Sequence, residues 1–125
     1  MIGIGNNTPD EKLTVKGKIH TQEVLVDLNG AVAPDYVFER YYKGYSALKG
    51  DYRMLDLKSL EAFLKQNHHL PEIPSAQKLK EDGLELKKMN LLLLQKIEEL
   101  TLYTLQQQKQ LDTLQGQVQL LTKQE

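Results

Sequence analysis

Apolar residues recur along the last third of the chain with the spacing of a heptad repeat. Leu86, Leu93, Leu100, Gln107, Leu114 and Leu121 lie seven apart, and Asn90, Ile97, Thr104, Leu111 and Val118 form a second series between them. This d/a seam, sustained over five heptads, predicts a coiled-coil helix over residues 86–125. A single helix cannot cover its own seam, so the pattern predicts other chains alongside. Leu93, Ile97 and Leu100 form one apolar block; Leu111, Leu114, Val118 and Leu121 form a second. Thr104 and Gln107 separate them, and Asn90 interrupts near the start. Polar layers of this kind cost stability but penalise shifted registers. The flanking glutamines Gln108, Gln110, Gln115 and Gln117 carry no charge code for a different partner, which favours a parallel homo-oligomer.

Upstream the pattern changes period. Gly3, Gly5, Asn6, Asn7 and Pro9 are turn formers. From Lys12 the chain alternates, with Leu13, Val15, Gly17 and Ile19 on one face and Lys12, Thr14, Lys16 and Lys18 on the other, which predicts a half-buried strand. Val24, Val26 and Leu28 predict a second strand ending at Asn29-Gly30. Residues 31–55 have no clear period but hold Tyr36, Tyr41, Tyr42, Tyr45 and Tyr52. Asp56 is placed to cap a helix to about Asn67 with Leu57, Leu60, Phe63 and Leu64 as its apolar stripe. Pro71 and Pro74 force extended backbone on Leu70 and Ile73. Ser75 is placed to cap a short helix to about Asp82, with Gly83 as its stop. Leu91, Leu92, Leu94, Leu102, Tyr103 and Leu105 give the first half of the long helix a second apolar face. The helices over residues 56–82 are expected to pack there, leaving the last heptads as a bare stalk.

Composition narrows the classes of function. The chain has 125 residues, which allows one small domain with an appendage. A net charge of −1 gives no basic field to recruit nucleic acid. The absence of cysteine rules out disulfides and thiolate metal sites. The longest apolar run, Leu91–Leu94, is far too short to span a bilayer, so no membrane insertion is expected. Met1 is followed at once by a Gly-rich, strand-like motif, and the stretch is expected to belong to a longer protein.

Few residues suggest chemistry. The N-terminal glycines lack the strand, helix and spacing of a phosphate-binding loop. His68, His69 and Glu72 invite a metal, but adjacent histidines diverge and no helical His pair is present; copies meeting on an axis would have to supply the missing ligands. Ser75, His69 and Asp56 carry the residue types of a hydrolase triad, yet no nucleophile-elbow pattern surrounds the serine. The expectation is therefore no enzyme, no cofactor and no metal. Tyr41, Tyr42 and Tyr45 could contact a glycan or a protein; the plainer reading is that the tyrosines pack the connection against the helices.

Two groups of motifs resemble a known family. Gly3, Gly5, Thr8, Pro9, Lys12, Leu13, Val15, Gly17 and Ile19 follow the repeat found near the C-terminus of tail-fibre-domain proteins. These are phage-like tail fibres and bacterial surface proteins related to the endosialidase-type chaperone group. The segments Pro34-Asp35-Tyr36-Val37-Phe38, His69-Leu70-Pro71-Glu72-Ile73-Pro74-Ser75-Ala76, Gly83, Met89-Asn90 and Lys96 to Tyr103 are similar to the same group. Two departures stand out. Tyr41 to Leu55 is longer than the usual connection, and the Ser-Asp-x-Arg-x-Lys-like entry of the self-cleaving members is absent, so self-cleavage is not carried over. The resemblance implies a trimeric C-terminal assembly module of an extracellular fibre, on a phage-like particle or a bacterial cell surface.

The seam itself argues both ways on copy number. Ile97 or Val118 at a with leucine at d, and a buried Asn90, favour a homodimer; Leu111 at a, Gln107 at d and the resemblance favour a homotrimer. Stalk strands also need partner chains to close their edges, and the parallel trimer is the reading adopted. The expected fold is α+β. Residues 1–33 are a β-stalk segment, residues 34–85 a Tyr-rich connection with short helices, and residues 86–125 the coiled-coil helix. The alternative function is a module that binds a surface receptor, glycan or scaffold protein through the Tyr-rich segment or the exposed helix.

Overall fold

A computed structural model of the protein describes residues 1–124. Two short strands are followed by four helices: β1 (Ile2–Ile4), β2 (Leu13–Val15), α1 (Tyr36–Lys43), α2 (Leu57–Asn67), α3 (Ala76–Asp82) and α4 (Leu86–Lys123). The chain is thus a small α+β unit in which α4, 38 residues long, is the dominant element. At 1.5 Å per residue it extends for about 57 Å.

β1 and β2 pair in parallel, with Ile2 opposite Leu13 and Ile4 opposite Val15. The turn between them is built by Asn6, whose side-chain oxygen accepts from the Thr8 N–H at 3.0 Å and from its hydroxyl. Gly3 is required there, because a Cβ would meet the Asn6 carbonyl oxygen at 2.4 Å. The face of β2 differs from the alternation reading. Thr14 is buried while Leu13 is exposed. The Thr14 hydroxyl accepts from the Glu11 N–H at 3.1 Å and donates toward Asp10, so the local loop claims the side that the pattern assigns to solvent. No second layer covers the apolar side. The strand expected at Val24–Leu28 does not form within one chain: residues 16–35 hold no strand, and Ile19, Val24, Leu25, Val26, Leu28 and Val32 stand exposed.

α1 occupies part of the segment without clear period. It ends where Gly44, at φ 83°, donates its N–H to the Arg40 carbonyl at 2.7 Å. The helices read from capping signals form at the expected bounds. Asp56 accepts from the Ser59 N–H at 2.7 Å and opens α2; Ser75 accepts from the Lys78 N–H at 3.2 Å and opens α3. His68, in left-handed backbone, closes α2.

The core is small. Tyr36, Val37, Tyr52 and Leu102 form its centre, with Phe38, Tyr41 and Met54 packed against it. The rings of Tyr36 and Tyr52 lie 5.1 Å apart and tilted. The principal partner of α4 is therefore α1 with the Tyr52 loop. α2 and α3, expected to pack on the first half of α4, lie beside it but contribute no fully buried residue. Tyr36, Val37 and Tyr52 are buried in one cluster with Leu102, whereas Leu60, Phe63 and Leu64 of α2 are only half-buried and Leu57 is exposed.

Candidate assembly surface

α4 has two faces of opposite character. One is turned to its own chain. Gln95 and Leu102 are fully buried there, with Glu98, Glu99 and Tyr103 beside them. The spacing 95, 98/99, 102 puts these residues on one side of the helix.

A hydrogen-bonded network fastens this face. The Tyr36 hydroxyl donates to Gln95 Oε1. Gln95 Nε2 donates to Glu72 Oε1 at 2.9 Å and to Glu99 Oε2 at 3.1 Å. The Tyr52 hydroxyl donates to Glu99 Oε2 at 2.5 Å, and Lys96 Nζ to Glu99 Oε1 at 3.0 Å. Lys96 also lies 3.5 Å from Glu72. The Tyr103 hydroxyl donates to the Leu55 carbonyl. Three separate segments, α1, the Tyr52–Leu55 connection and the loop at Glu72, are thereby tied to about two turns of α4. Glu72 sits at φ 70°, a left-handed position unusual for a non-glycine residue, and its place in the network helps to hold it there.

The network shifts its titrating groups. Burial first, then the carboxylates of Glu72, Glu98 and Glu99, push the Tyr36 hydroxyl up to about 12. Burial and the hydrogen bond to Glu99 raise Tyr52 further. Glu98 stands apart. It is 4% exposed, and among the described residues its Oε1 has no hydrogen-bond partner. Burial, followed by the Asp35 carboxylate, raises its pKa above the ordinary glutamate value.

The opposite face of α4 is the seam. Leu86, Leu93, Ile97, Leu100, Leu111, Leu114, Val118 and Leu121 are 44–65% exposed. The polar seam positions Asn90, Thr104 and Gln107 are exposed with them. The whole d/a series lies on a surface that its own chain leaves open. The burial of α4 stops at Tyr103 with Gln106 half-buried, and residues 107–124 are exposed on every side.

The other sequence candidates are separated by the fold. Tyr42 and Tyr45 are exposed, whereas Tyr41 is half-buried against the core and meets Tyr42 edge-on at 5.0 Å. His69 stacks edge-on against Phe63 at 5.6 Å, while Glu72 turns to Gln95 and Lys96. Among the described residues no group of three His, Cys, Asp or Glu side chains is placed to hold a metal ion. The side chains of Asp56 and Ser75 are engaged as helix caps. No helix of the described residues is long and apolar enough to cross a membrane.

Sequence reasoning missed the inner network. The sequence pattern marks Leu102 and Tyr103 as part of a second apolar face but gives Lys96, Glu98 and Glu99 no inward role. The available signal was Leu102, an apolar residue on the side away from the seam, with Gln95 seven residues before it and Glu98 and Glu99 between. No family model, no curated protein and no solved structure matches the chain.

Proposed function

We propose that this chain is a parallel trimerisation module of an extracellular fibre, a tail fibre or surface adhesin, whose coiled-coil helix registers three copies. The observation that carries the reading is the open d/a seam: eight apolar residues exposed along one side of a helix whose other side is fastened to its own chain over its first half and is exposed beyond it. Burying seven of them, at roughly 1.5–2 kcal/mol each, gives on the order of 10–14 kcal/mol gross per chain. Ordering and association oppose part of that, so the assembly forms at micromolar concentration and dissociates on strong dilution. Residues 1–33, most of whose large apolar side chains are exposed, are the stalk end of the module. Copies brought to one axis offer them cover that one chain does not.

A second reading has one observation in its favour. Tyr42 and Tyr45 are exposed at the end of α1, as rings that bind a glycan or a protein would be. In that reading the module also docks a receptor or scaffold.

The test is the mass of the chain in solution by light scattering across a dilution series. Three chains at high concentration support the module as stated. Two would keep the seam and change its symmetry. A single chain at all concentrations would overturn the reading and bring receptor binding forward.

A further inference from the structure

The apolar surface beside the seam is wider than the seam itself. A groove of about 150 Å³ lies beside α4, walled by Leu60 of α2 and by Leu70 and Pro71 of the loop that follows it on one side, and by Lys96, Glu99, Leu100 and Tyr103 of α4 on the other. Leu100 is itself a seam residue and exposed, so the groove opens onto the flank of the seam. The single cation in its wall is turned away: Lys96 Nζ lies 3.0 Å from Glu99 and 3.5 Å from Glu72. Lys96 and Glu99 are paired with each other, and the rest of the wall is aliphatic and aromatic. A cavity of roughly this size holds one benzene-sized apolar group and is well below the volume of pockets for drug-sized ligands.

Heptad geometry says which part of a neighbour faces the groove. With Asn90 and Ile97 at a, Lys96 and Tyr103 fall at successive g positions. In a parallel coiled coil the g flank of one helix lies along the e flank of the next, about five residues further along. The groove, set between Lys96 and Tyr103, therefore faces residues 101–108 of the neighbour. On that flank stand Thr101, Leu105 and Gln108. Leu105 is the one apolar side chain of the three, and it is 43% exposed on its own chain.

Resting on the parallel assembly proposed above, we infer that Leu105 of one copy fills the α2–α4 groove of the next. Each chain's α2 and proline loop then clasp the coiled-coil helix of a neighbour. The module is held by the seam at its axis and by this second contact at its flank. The clasp also selects parallel order, because an antiparallel neighbour does not bring its Leu105 flank against the g side at this level.

The natural chain has no cysteine, so single-cysteine variants report cleanly. Leu70→Cys and Leu105→Cys chains are prepared separately, mixed under dissociating conditions, reassembled and treated with a short bis-maleimide. Each chain carries one thiol, so every covalent pair is between chains. The expected result is a 70–105 pair in the mixture, identified by mass spectrometry, and little pairing in either variant alone. Leu105→Asn, full length, is expected to raise the dissociation constant at least about tenfold, with the circular dichroism of the assembled chain unchanged. An assembly of normal mass that gives no 70–105 pair, or is indifferent to Leu105→Asn, overturns the clasp and leaves the seam standing. A chain that stays single at every concentration removes both.

Discussion

Gln95 offers the sharpest test of how α4 is fastened. Its side chain is 0% exposed and joins three partners, Tyr36, Glu72 and Glu99. Replacing it with alanine removes the acceptor of the Tyr36 hydroxyl, whose residue is buried; an orphaned group of that kind costs about 1–3 kcal/mol. The two amide donations go to carboxylates that keep Lys96 as a partner. Their loss is accordingly set near the ordinary hydrogen-bond value, about 1 kcal/mol each. The vacated volume adds about 1 kcal/mol. The total is about 4–6 kcal/mol, a large part of the 5–15 kcal/mol typical of a folded domain.

The assay is urea denaturation followed by the near-ultraviolet circular dichroism of the tyrosines, at one fixed protein concentration because the proposed assembly would add to apparent stability. Tyr36 and Tyr52 lie in the core, so the signal reports the site itself. Gln95→Leu keeps most of the volume and removes only the bonds, and is expected to cost about 1 kcal/mol less than Gln95→Ala. In a Tyr36→Phe background the cost of Gln95→Ala should fall by about 1–2 kcal/mol, since the hydroxyl is no longer left unpaired. A cost for Gln95→Ala below about 1 kcal/mol, or strict additivity with Tyr36→Phe, would falsify the view that this buried network holds α4.

Glu98 sets a pH dependence of defined sign. Its folded pKa is raised, so its contribution is fully present below the unfolded glutamate value and is lost as pH rises through the raised one; Glu98→Gln should flatten that decline in denaturation midpoints measured from pH 4 upward. Gly116 lies within α4 with open space where its Cβ would be, and Gly116→Ala is expected to stabilise the helix by about 0.5–1 kcal/mol, read as a higher melting temperature. Ser75→Ala removes the cap of α3 and should cost about 1 kcal/mol, with Ser75→Asp recovering most of it. Deleting residues 104–125 takes away the second apolar block of the seam, so assembly should weaken in light scattering while the near-ultraviolet signal of the tyrosine core persists; a truncated chain that assembles like the full one would contradict the role given to that block.

Local rules made the helices legible. Asp56 and Ser75 are side chains whose capping action needs only their own next turn, and Gly83 stops α3 in the same way. The heptad series gave the extent of α4 because its period is a property of the helix alone. What escaped depended on partners distant in sequence. α1 has Asp35 at its N-cap with no side-chain bond, and its residues are aromatic and charged, so nothing local announced it; its burial against Leu102 supports it. Leu102 and Tyr103 were legible as part of a second apolar face of α4, but the polar network beside them was hidden for the same reason. Glu99 is buried because Tyr52, 47 positions away, donates to it. The strand at Val24–Leu28 was read from alternation, but alternation specifies only a face; a strand needs a neighbour to bond with, and one chain supplies none.

The two faces of α4 explain each other. A helix with an apolar seam and no inner attachment would be free to turn about its axis, and any side of it could meet a neighbour. Here Gln95, Glu98, Glu99 and Leu102 lie on one side, and Leu93, Ile97 and Leu100 on the other. Turning α4 by one residue, about 100°, would take Gln95 from Tyr36 and Glu99 from Tyr52, and leave buried donors and carboxylates unmatched. An all-apolar inner face would tolerate that rotation better, because apolar contacts carry little direction. The polar network thus costs more to bury than leucines would, but it fixes the angle at which α4 is presented. The seam and the groove beside it then keep a constant relation to one another, which is what a neighbour contacting both at once requires.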